Sequence, residues 1–367
     1  MPSLLVTGGA GFIGSNFVRH WRRAHPRDPV IVLDLLTYAG NRANLDGVPD
    51  VRLVVGDIGD RALVARTLRD GDVDMIVHFA AETHVDRSLH RPDAFVTTNV
   101  VGTHALLMEA KAAWLDRGSG RPHRFHHVST DEVYGSLGPG DPAFSETTAY
   151  APNSPYTASK AASDHLVRAY HRSYGLQTTT TNCSNNYGPY QFPEKLIPHF
   201  LLNALEGKAL PIYGDGLQVR DWLHVGDHCR GIALVLGQGR VGETYNIGGG
   251  AELANMTLID GLCAAIDAAF DADPALARRF PRAPAARGRA IASLKRHVTD
   301  RPGHDRRYAI DAGKIRAELG HSPRLAFADA LSETLRWYLD NEPWWRAVLD
   351  GSYRSWIETN YAGRVSG

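Results

Sequence analysis

Short apolar runs rich in Val, Ile and Leu alternate with helical stretches along the first half of the chain. The runs are Leu4 to Thr7, Val30 to Asp34, Arg52 to Val55, Met75 to Phe79, Phe125 to Ser129 and Thr178 to Thr181. Runs of this kind are typical of strands that are covered on both faces, and their alternation with helices is the βαβ pattern. The sequence therefore predicts an α/β fold with a doubly wound parallel sheet.

One helix has readable ends. Ser154 is placed as N-cap and Pro155 as the first helical residue, and the apolar period continues through Val167 and Tyr170. Gly175 stands just past the last turn, where glycine commonly ends a helix. The pattern predicts a helix from residue 155 to about residue 174.

The alternation of strands and helices breaks down beyond Asn182, where Pro, Gly and aromatic residues become frequent. We expect a Rossmann-type domain over residues 1–182 and a smaller C-terminal substrate-binding lobe over 183–367, some of whose segments return to the sheet. Residues 271–290 are rich in Ala, Arg and Pro without a clear period, and are interpreted as a surface insertion with one helical turn. A helical pattern returns from Asp311 to Leu339.

The composition is that of an ordinary globular protein, with 43% hydrophobic and 22% charged residues and 40 charges of each sign. This balance argues against a broad nucleic-acid surface, which needs clustered positive charge. The 3 cysteines form no CxxC pair, and no apolar run has the length of a signal peptide or a membrane span. We therefore expect a cytoplasmic protein.

A glycine-rich motif, GGAGFIG, follows the first predicted strand and opens the first helix. Gly8, Gly11 and Gly14 allow a tight turn in which backbone amides approach a pyrophosphate. Asp34 ends the second strand, where its carboxylate accepts hydrogen bonds from a ribose and repels a 2′-phosphate, which favours NAD over NADP. A glycine turn that only packs helix on strand is the alternative. Asp57-Ile58 and Ala80-Ala81, after the third and fourth strands, favour the dinucleotide site.

Tyr156 and Lys160 lie four residues apart in the first turns of the capped helix, and their side chains therefore share a face. A nearby ammonium stabilises a phenolate and lowers the pKa of the tyrosine, which would make it a base for a hydroxyl proton. A solvated lysine beside a half-buried ring is the alternative interpretation.

A second polar group, Thr130-Asp131-Glu132, ends the fifth predicted strand, where open α/β sheets bind ligands. Elimination of water from a sugar needs one group to remove a carbon-bound proton and another to protonate the departing hydroxyl. Two carboxyls in unlike environments suit that task. A plain acidic surface turn is the other interpretation.

Taken together, the motifs GGAGFIG, STDEVYG, YTASK, NNYGPYQFPEKLIP, RDWLHV and RPGHDRRYAID resemble those of the extended short-chain dehydrogenase/reductase family over nearly the whole chain. The narrower motifs are similar to those of its sugar-nucleotide 4,6-dehydratases. The resemblance implies that Tyr156 takes the C4 hydroxyl proton while NAD receives the C4 hydride, with Thr130 on the same oxygen and Lys160 on the ribose. It also implies that Glu132 removes the C5 proton, Asp131 protonates the leaving C6 hydroxyl, and the hydride returns to C6.

The resemblance also implies binding residues. For NAD these are Gly8, Gly11, Phe12, Ile13, Gly14, Asp34, Thr37, Asp57, Ile58, Ala80, Ala81, Thr98, Tyr156, Lys160 and Asn186. For the sugar nucleotide, with dTDP-glucose as the implied substrate, they are Thr83, Thr130, Asn185, Glu194, Lys195, Leu196, Pro211, Tyr213, Arg220, Asn255, Arg301 and His304. A homodimer is implied through the helices near 99–116 and 155–174, with Leu106, Leu107, Leu166 and Val167 as compatible apolar positions.

Several alternatives stay open at this stage. A UDP- or GDP-hexose 4,6-dehydratase differs only in its base pocket, whereas a sugar-nucleotide 4-epimerase shares the fold, NAD and the Tyr/Lys pair but has no need of Asp131 and Glu132. An NAD-sensing protein without chemistry is a third possibility. The 17 histidines form no clusters at ligand spacing, so no metal site is expected.

Overall fold

The computed structural model describes residues 2–117, 122–301 and 303–349. Within these ranges the strands are Leu4–Thr7 (β1), Val30–Asp34 (β2), Val51–Val55 (β3), Met75–His78 (β4), Arg124–Thr130 (β5), Thr178–Cys183 (β6), Asn185–Tyr187 (β7), Leu210–Tyr213 (β8), Val219–His224 (β9), Thr244–Ile247 (β10), Glu252–Ala254 (β11) and Lys295–Val298 (β12).

The α-helices of the same ranges are Phe12–Ala24 (α1), Arg61–Asp70 (α2), Val85–His90 (α3), Pro92–Phe95 (α4), Thr103–Lys111 (α5), Pro155–Tyr174 (α6), Leu196–Leu205 (α7), Val225–Gln238 (α8), Asn255–Ala272 (α9), Ala275–Arg279 (α10), Gly313–Leu319 (α11), Phe327–Asp340 (α12) and Glu342–Val348 (α13). Two π-helical segments, Val96–Gly102 and Ala112–Asp116, extend α4 and α5.

The main sheet has seven parallel strands in the order β10-β6-β5-β4-β1-β2-β3. The order reverses direction at β1, which pairs with β2 on one side and β4 on the other. Such a switch point opens a crevice at the carboxyl ends of the strands. The predicted α/β class and parallel sheet are confirmed, and the six predicted strands end within two residues of the observed bounds.

Alternate side chains of the central strands build a core on each face of the sheet. Leu4 and Val6 pack with Phe17 of α1 and Ile232 of α8 on one face, while Leu5 lies in the cluster on the other. These side chains are fully buried, and each such burial contributes about 1.5–3 kcal/mol. Burial on both faces explains why the strands read as continuous apolar runs.

The predicted capped helix is α6. The Ser154 hydroxyl accepts a hydrogen bond from the backbone N–H of Thr157 at 3.2 Å, and Gly175 ends the helix in the left-handed region at φ 75°. The apolar positions that were predicted to be compatible with a dimer interface lie in the core on one face of the sheet. Three of them are buried there, Leu106, Leu107 and Val167, and Leu166 is partly buried against them. They therefore pack within the subunit.

A second lobe is built around two small sheets, ordered β11-β9-β7 and β12-β8, with helices α7, α9 and α12. Its own core includes Phe200, Leu262 and Tyr338. Strand β10 lies beyond residue 183 yet pairs with β6 in the main sheet. The second half of the chain thus contributes to both sheet systems.

The interpretation of residues 271–290 as a surface insertion is wrong, although the expected helical turn is present as α10. Leu276, Phe280 and Ala283 are at most 3% exposed and belong to the core of the second lobe. Leu276 and Phe280 lie four residues apart, so they point to the same side and pack inward while the neighbouring arginines stay outside. The predicted helical stretch from Asp311 is split into α11 and α12 by Gly320, whose φ is 65°.

None of the helices in the described part of the chain is long and apolar enough to span a membrane.

Candidate active site

One cavity of about 470 Å³ opens between the carboxyl ends of the main sheet and the second lobe. All the residues predicted for catalysis, cofactor binding and substrate binding line this cavity. They come from positions as far apart as Gly8 and His304. The structure therefore places the predicted site in one space, while the role of each residue stays a prediction.

The glycine-rich turn leaves no room for side chains. A Cβ on Gly14 would lie 2.2 Å from the carbonyl oxygen of Gly8, and one on Gly8, whose φ is +68°, would lie 2.6 Å from the backbone nitrogen of Ala80. Gly11 is the N-cap of α1 and has no side-chain cap, so the first amides of the helix are open to an anion. The turn has the shape of a phosphate cradle.

Asp34 lies beside this turn at the end of β2. Its carboxylate accepts hydrogen bonds from the backbone N–H groups of Ala10 at 2.9 Å and Leu36 at 2.8 Å. Burial raises the pKa of Asp34, and these two hydrogen bonds oppose the rise. The carboxylate is thus fixed at the rim of the cradle, where an adenosine ribose lies in dinucleotide sites.

Tyr156 and Lys160 stand on the cavity side of α6 and are 7% and 5% exposed. The Lys160 ammonium donates to the carbonyl oxygen of Val128 at 2.9 Å. Burial raises the pKa of Tyr156 well above its usual value, and the Glu132 carboxylate adds to the rise, whereas a hydrogen bond with Thr130 opposes it. The expected lowering of the Tyr156 pKa is therefore wrong for the protein alone, because burial is the largest influence on this pKa and raises it.

Asp131 and Glu132 begin a short 3-10 turn that is capped by Thr130, whose hydroxyl accepts from the Glu132 N–H at 3.3 Å. Asp131 is 1% exposed, and its Oδ2 has no hydrogen-bond partner among the described residues. Burial raises its pKa well above the usual value, and the charges of Glu132 and Asp221 raise it further. Asp131 is thus placed to hold a proton.

Glu132 has a different environment from its neighbour. Burial raises the pKa of Glu132 too, but the cations Lys195, Arg301 and Arg220 oppose that rise. Attraction to three cations favours the ionised form. The two adjacent carboxyls therefore have unlike environments, as an acid/base pair requires.

The opposite wall of the cavity carries two buried arginines. Arg220 stacks on the ring of Tyr308 at 4.2 Å and donates to the carbonyl oxygens of Val219 at 2.7 Å and Asp305 at 2.9 Å. Nη1 of Arg301 lies 3.0 Å from Oδ1 of Asp86, and its Nε has no partner in the described part of the chain. Each guanidinium is held by one edge, so donors remain for an anionic ligand.

Glu194, predicted to contact the substrate, lines the cavity but its carboxylate is engaged by the protein. Its side chain is 2% exposed, and Oε2 lies 3.1 Å from Nε of Arg87. The neighbouring Lys195 ammonium donates to the carbonyl oxygen of Thr83 at 3.1 Å. These contacts hold the FPEKLIP segment against α3 and the loop that follows β4.

Three polar residues that support the site were not predicted from the sequence. Asp86 orients Arg301, Asp164 lies one turn beyond Lys160, and Asn99 ties the backbone of Glu82 to Ser159 of α6. The i, i+4 spacing of Lys160 and Asp164 was a usable signal. Asp86 and Arg301 are 215 residues apart, and no local pattern joins them. The described residues contain no group of three metal-binding side chains.

The chain is similar to known proteins over nearly its whole length. The family described as GDP-mannose 4,6 dehydratase matches residues 5–334. The chain is 55% identical to a dTDP-glucose 4,6-dehydratase of Xanthomonas campestris over 96% of its length and 98% of the relative. It is 50% identical to dTDP-glucose 4,6-dehydratase 1 of Escherichia coli over 98% of its own length and 99% of that protein.

A solved structure of the dTDP-glucose 4,6-dehydratase DesIV of Streptomyces venezuelae, with NAD bound, is 52% identical to the chain. It superposes with a TM-score of 0.83, covering 94% of the chain and 99% of DesIV. The chain belongs to the GDP-mannose 4,6-dehydratase family, the sugar-nucleotide dehydratases of the short-chain dehydrogenase/reductase type.

Proposed function

We propose that the protein is an NAD-dependent dTDP-glucose 4,6-dehydratase, a hydro-lyase that converts dTDP-glucose into dTDP-4-keto-6-deoxyglucose and water. The observation that carries the proposal is the pair Asp131 and Glu132, adjacent in sequence but held in unlike electrostatic environments beside Tyr156. Relatives that share half or more of the sequence over nearly the whole chain support the assignment.

The cavity fits NAD. Gly8 and Gly14 allow a turn so tight that a Cβ at either position would clash with neighbouring backbone, α1 directs uncapped amides toward the cavity, and Asp34 stands at its rim. Bound NAD would supply a hydride acceptor, later a hydride donor, and in its oxidised form a positive charge near the reacting sugar. That charge would counter the effect of burial on Tyr156.

In the first step Tyr156 accepts the proton of the C4 hydroxyl as C4 is oxidised. Thr130 lies beside the Tyr156 hydroxyl and is placed to hydrogen-bond the same sugar oxygen. Lys160, buried one turn along α6, adds positive charge on the side of the cofactor ribose. The resulting 4-ketone makes the C5 hydrogen acidic.

In the second step Glu132 removes the C5 proton, and the electron pair forms the C5–C6 double bond as the C6 hydroxyl leaves. Asp131 supplies the proton with which that hydroxyl departs as water. A carboxyl that is neutral at the working pH is suited to this donation, and one surrounded by cations is suited to remaining ionised. Return of hydride to C6 and of a proton to C5 completes the product.

The diphosphate of the substrate is assigned to Arg220 and Arg301, whose guanidinium groups face the cavity from the second lobe. Planar guanidinium groups bind phosphate oxygens through paired hydrogen bonds. The chain has 40 charges of each sign and therefore no overall positive charge. A dianionic ligand must then be held by local cations such as these. The thymine base is assigned from the relatives.

We also propose a cytoplasmic homodimer. Val96 and Val101, on the helical segment beside α6, are 51% and 56% exposed. Apolar side chains exposed close together commonly mark an interface. Sedimentation velocity of wild type and of Val101→Asp tests this, because a charge in the interface would convert dimer to monomer.

The proposal is tested by incubating the purified protein with dTDP-glucose, UDP-glucose and GDP-mannose in turn and measuring product mass. We expect loss of one water from dTDP-glucose and little change in the other two. Loss of water from UDP-glucose or GDP-mannose instead would reassign the base pocket. A sugar isomerised without mass change would make the protein an epimerase.

A further inference from the structure

A group of largely buried polar side chains surrounds Lys160 between β5 and α6. We call it the Lys160 support; it consists of His127 and Ser129 from β5, Asp164 from α6 and Tyr150 from the loop before α6. His127 is fully buried, and Ser129 and Asp164 are at most 6% exposed. None of these residues has a role in the proposed reaction.

The distances within the support are short. The Asp164 Oδ2 atom accepts hydrogen bonds from the hydroxyls of Ser129 and Tyr150, each at 2.9 Å. Its Oδ1 atom lies 3.1 Å from Nε2 of His127, and the same Nε2 lies 3.5 Å from Nζ of Lys160. The imidazole therefore stands between the ammonium and the carboxylate.

The residue spacing on strand β5 and on helix α6 explains why the side chains of the Lys160 support lie close together. His127 and Ser129 are two residues apart on β5 and share a face of the sheet, and Lys160 and Asp164 are four residues apart on α6 and share a face of the helix. Helix α6 packs that face on β5. Strand β5 and helix α6 thus bring the Asp164 carboxylate close to the Lys160 ammonium.

We propose that Asp164 is a positioning residue that keeps the positive charge on Lys160, acting across the His127 ring while Ser129 and Tyr150 hold its carboxylate in place. The inference rests on the proposed function, since it takes Lys160 to act in the oxidation of C4.

The electrostatics agree with this geometry. Burial lowers the pKa of Lys160, and the Asp164 carboxylate raises it. Burial lowers the pKa of His127 well below its usual value, so the ring is neutral and Asp164 supplies the negative charge. The titratable groups facing Lys160 and Asp164 from the surrounding elements are His78, His127, Tyr134, Tyr150, Tyr156, His165 and Cys183.

The test is the pH dependence of the oxidation step in Asp164→Asn, followed in a single turnover with dTDP-glucose by the near-ultraviolet absorbance of the reduced nicotinamide. Asparagine keeps the shape of the side chain but removes its charge. We expect the alkaline limb of the rate profile to move to lower pH by about one unit, a tenfold change in the proton affinity of Lys160. Glu109→Gln is the matched control, because Glu109 is a buried carboxylate paired with Arg61 at 2.7 Å, away from the cavity. Its profile should stay as in wild type.

Tyr150→Phe provides a second test that keeps the carboxylate. Loss of one hydroxyl donor raises the pKa of Asp164, so the acidic limb of the same profile should move to higher pH. A uniform fall in rate at all pH values in Asp164→Asn, or an unmoved acidic limb in a folded Tyr150→Phe, overturns the role of Asp164. Failure of the wild type to form any reduced nicotinamide would instead overturn the proposed function.

Discussion

The Glu194 carboxylate, which lines the cavity, and the Arg87 guanidinium form an ion pair with an Oε2–Nε distance of 3.1 Å. Arg87 also lies over the ring of Tyr38, 3.8 Å from its centroid, and the Tyr38 hydroxyl is hydrogen-bonded to Glu194. Tyr38 follows β2, Arg87 belongs to α3, and Glu194 precedes α7. The pair, together with Tyr38, therefore joins helix α3 and the segment after β2 to the loop before α7.

This connection predicts that Glu194→Gln weakens retention of NAD. Removing the charge of one partner from a buried ion pair leaves the other uncompensated, at a cost of about 3–5 kcal/mol when burial is complete. Because Arg87 is 21% exposed, we expect a smaller loss of free energy at this ion pair. It should be detected as NAD that dissociates during gel filtration. Glu206→Gln, which removes a carboxylate paired with Arg346 outside the cavity, is the control. Equal NAD content in both variants and wild type would contradict the prediction.

The glycine turn predicts that Gly14→Ala abolishes NAD binding. The new Cβ would lie 2.2 Å from the Gly8 carbonyl oxygen, which is backbone and can move only by opening the turn. Gly261→Ala is the control, since it is also helical but has no atom within 4 Å of the added Cβ and gains about 1 kcal/mol of helix propensity. NAD titration by calorimetry should show no binding to the first variant and wild-type affinity in the second.

The division of roles predicts different blocks in Tyr156→Phe and Glu132→Gln. Tyr156→Phe removes the base for the C4 hydroxyl, so no reduced nicotinamide should form. Glu132→Gln leaves that step intact, so reduced nicotinamide should accumulate while product formation falls by about 10²–10⁴. Stopped-flow absorbance separates the two. Loss of the first step in both variants to the same extent would show that the roles are assigned wrongly.

The buried carboxylate of Asp164 predicts a pH-dependent stability. Burial raises its pKa from 3.8 to about 6, so between these values the folded protein binds more protons than the unfolded chain. This contribution to stability is present below about pH 4 and is lost as the pH rises to about 6. The free energy of unfolding of Asp164→Asn relative to wild type should therefore rise by about 2 kcal/mol over this interval. Urea unfolding at both pH values measures it, and a constant difference would contradict the raised pKa.

The sequence was sufficient for the parallel sheet and for helix α6, because both depend on local patterns. Strands buried on two faces must be apolar throughout, and the ends at Ser154 and Gly175 are set by capping and by a left-handed φ. The segment around Phe280 was misjudged because its burial depends in part on Trp345 of α13, which stacks on the Phe280 ring from far along the chain, and no local pattern shows this.

The site could be predicted as a set of residues but not as an electrostatic environment. Every predicted residue lines the cavity: the cofactor and catalytic motifs lie at the carboxyl edge of the main sheet, and residues such as Arg220 reach the cavity from the second lobe. The direction of the Tyr156 pKa was wrong because burial cannot be read from a four-residue spacing. Asp86 was missed because its partner, Arg301, lies in the other lobe.

The most direct test of the central claim uses dTDP-glucose carrying deuterium at C4, with the product analysed by mass spectrometry and proton NMR. Oxidation at C4 followed by elimination and return of the same hydride predicts a product that has lost one water and carries the deuterium at C6. Deuterium that remains at C4, in a sugar of unchanged mass and inverted configuration, would contradict the account and leave Asp131 and Glu132 without a role in catalysis.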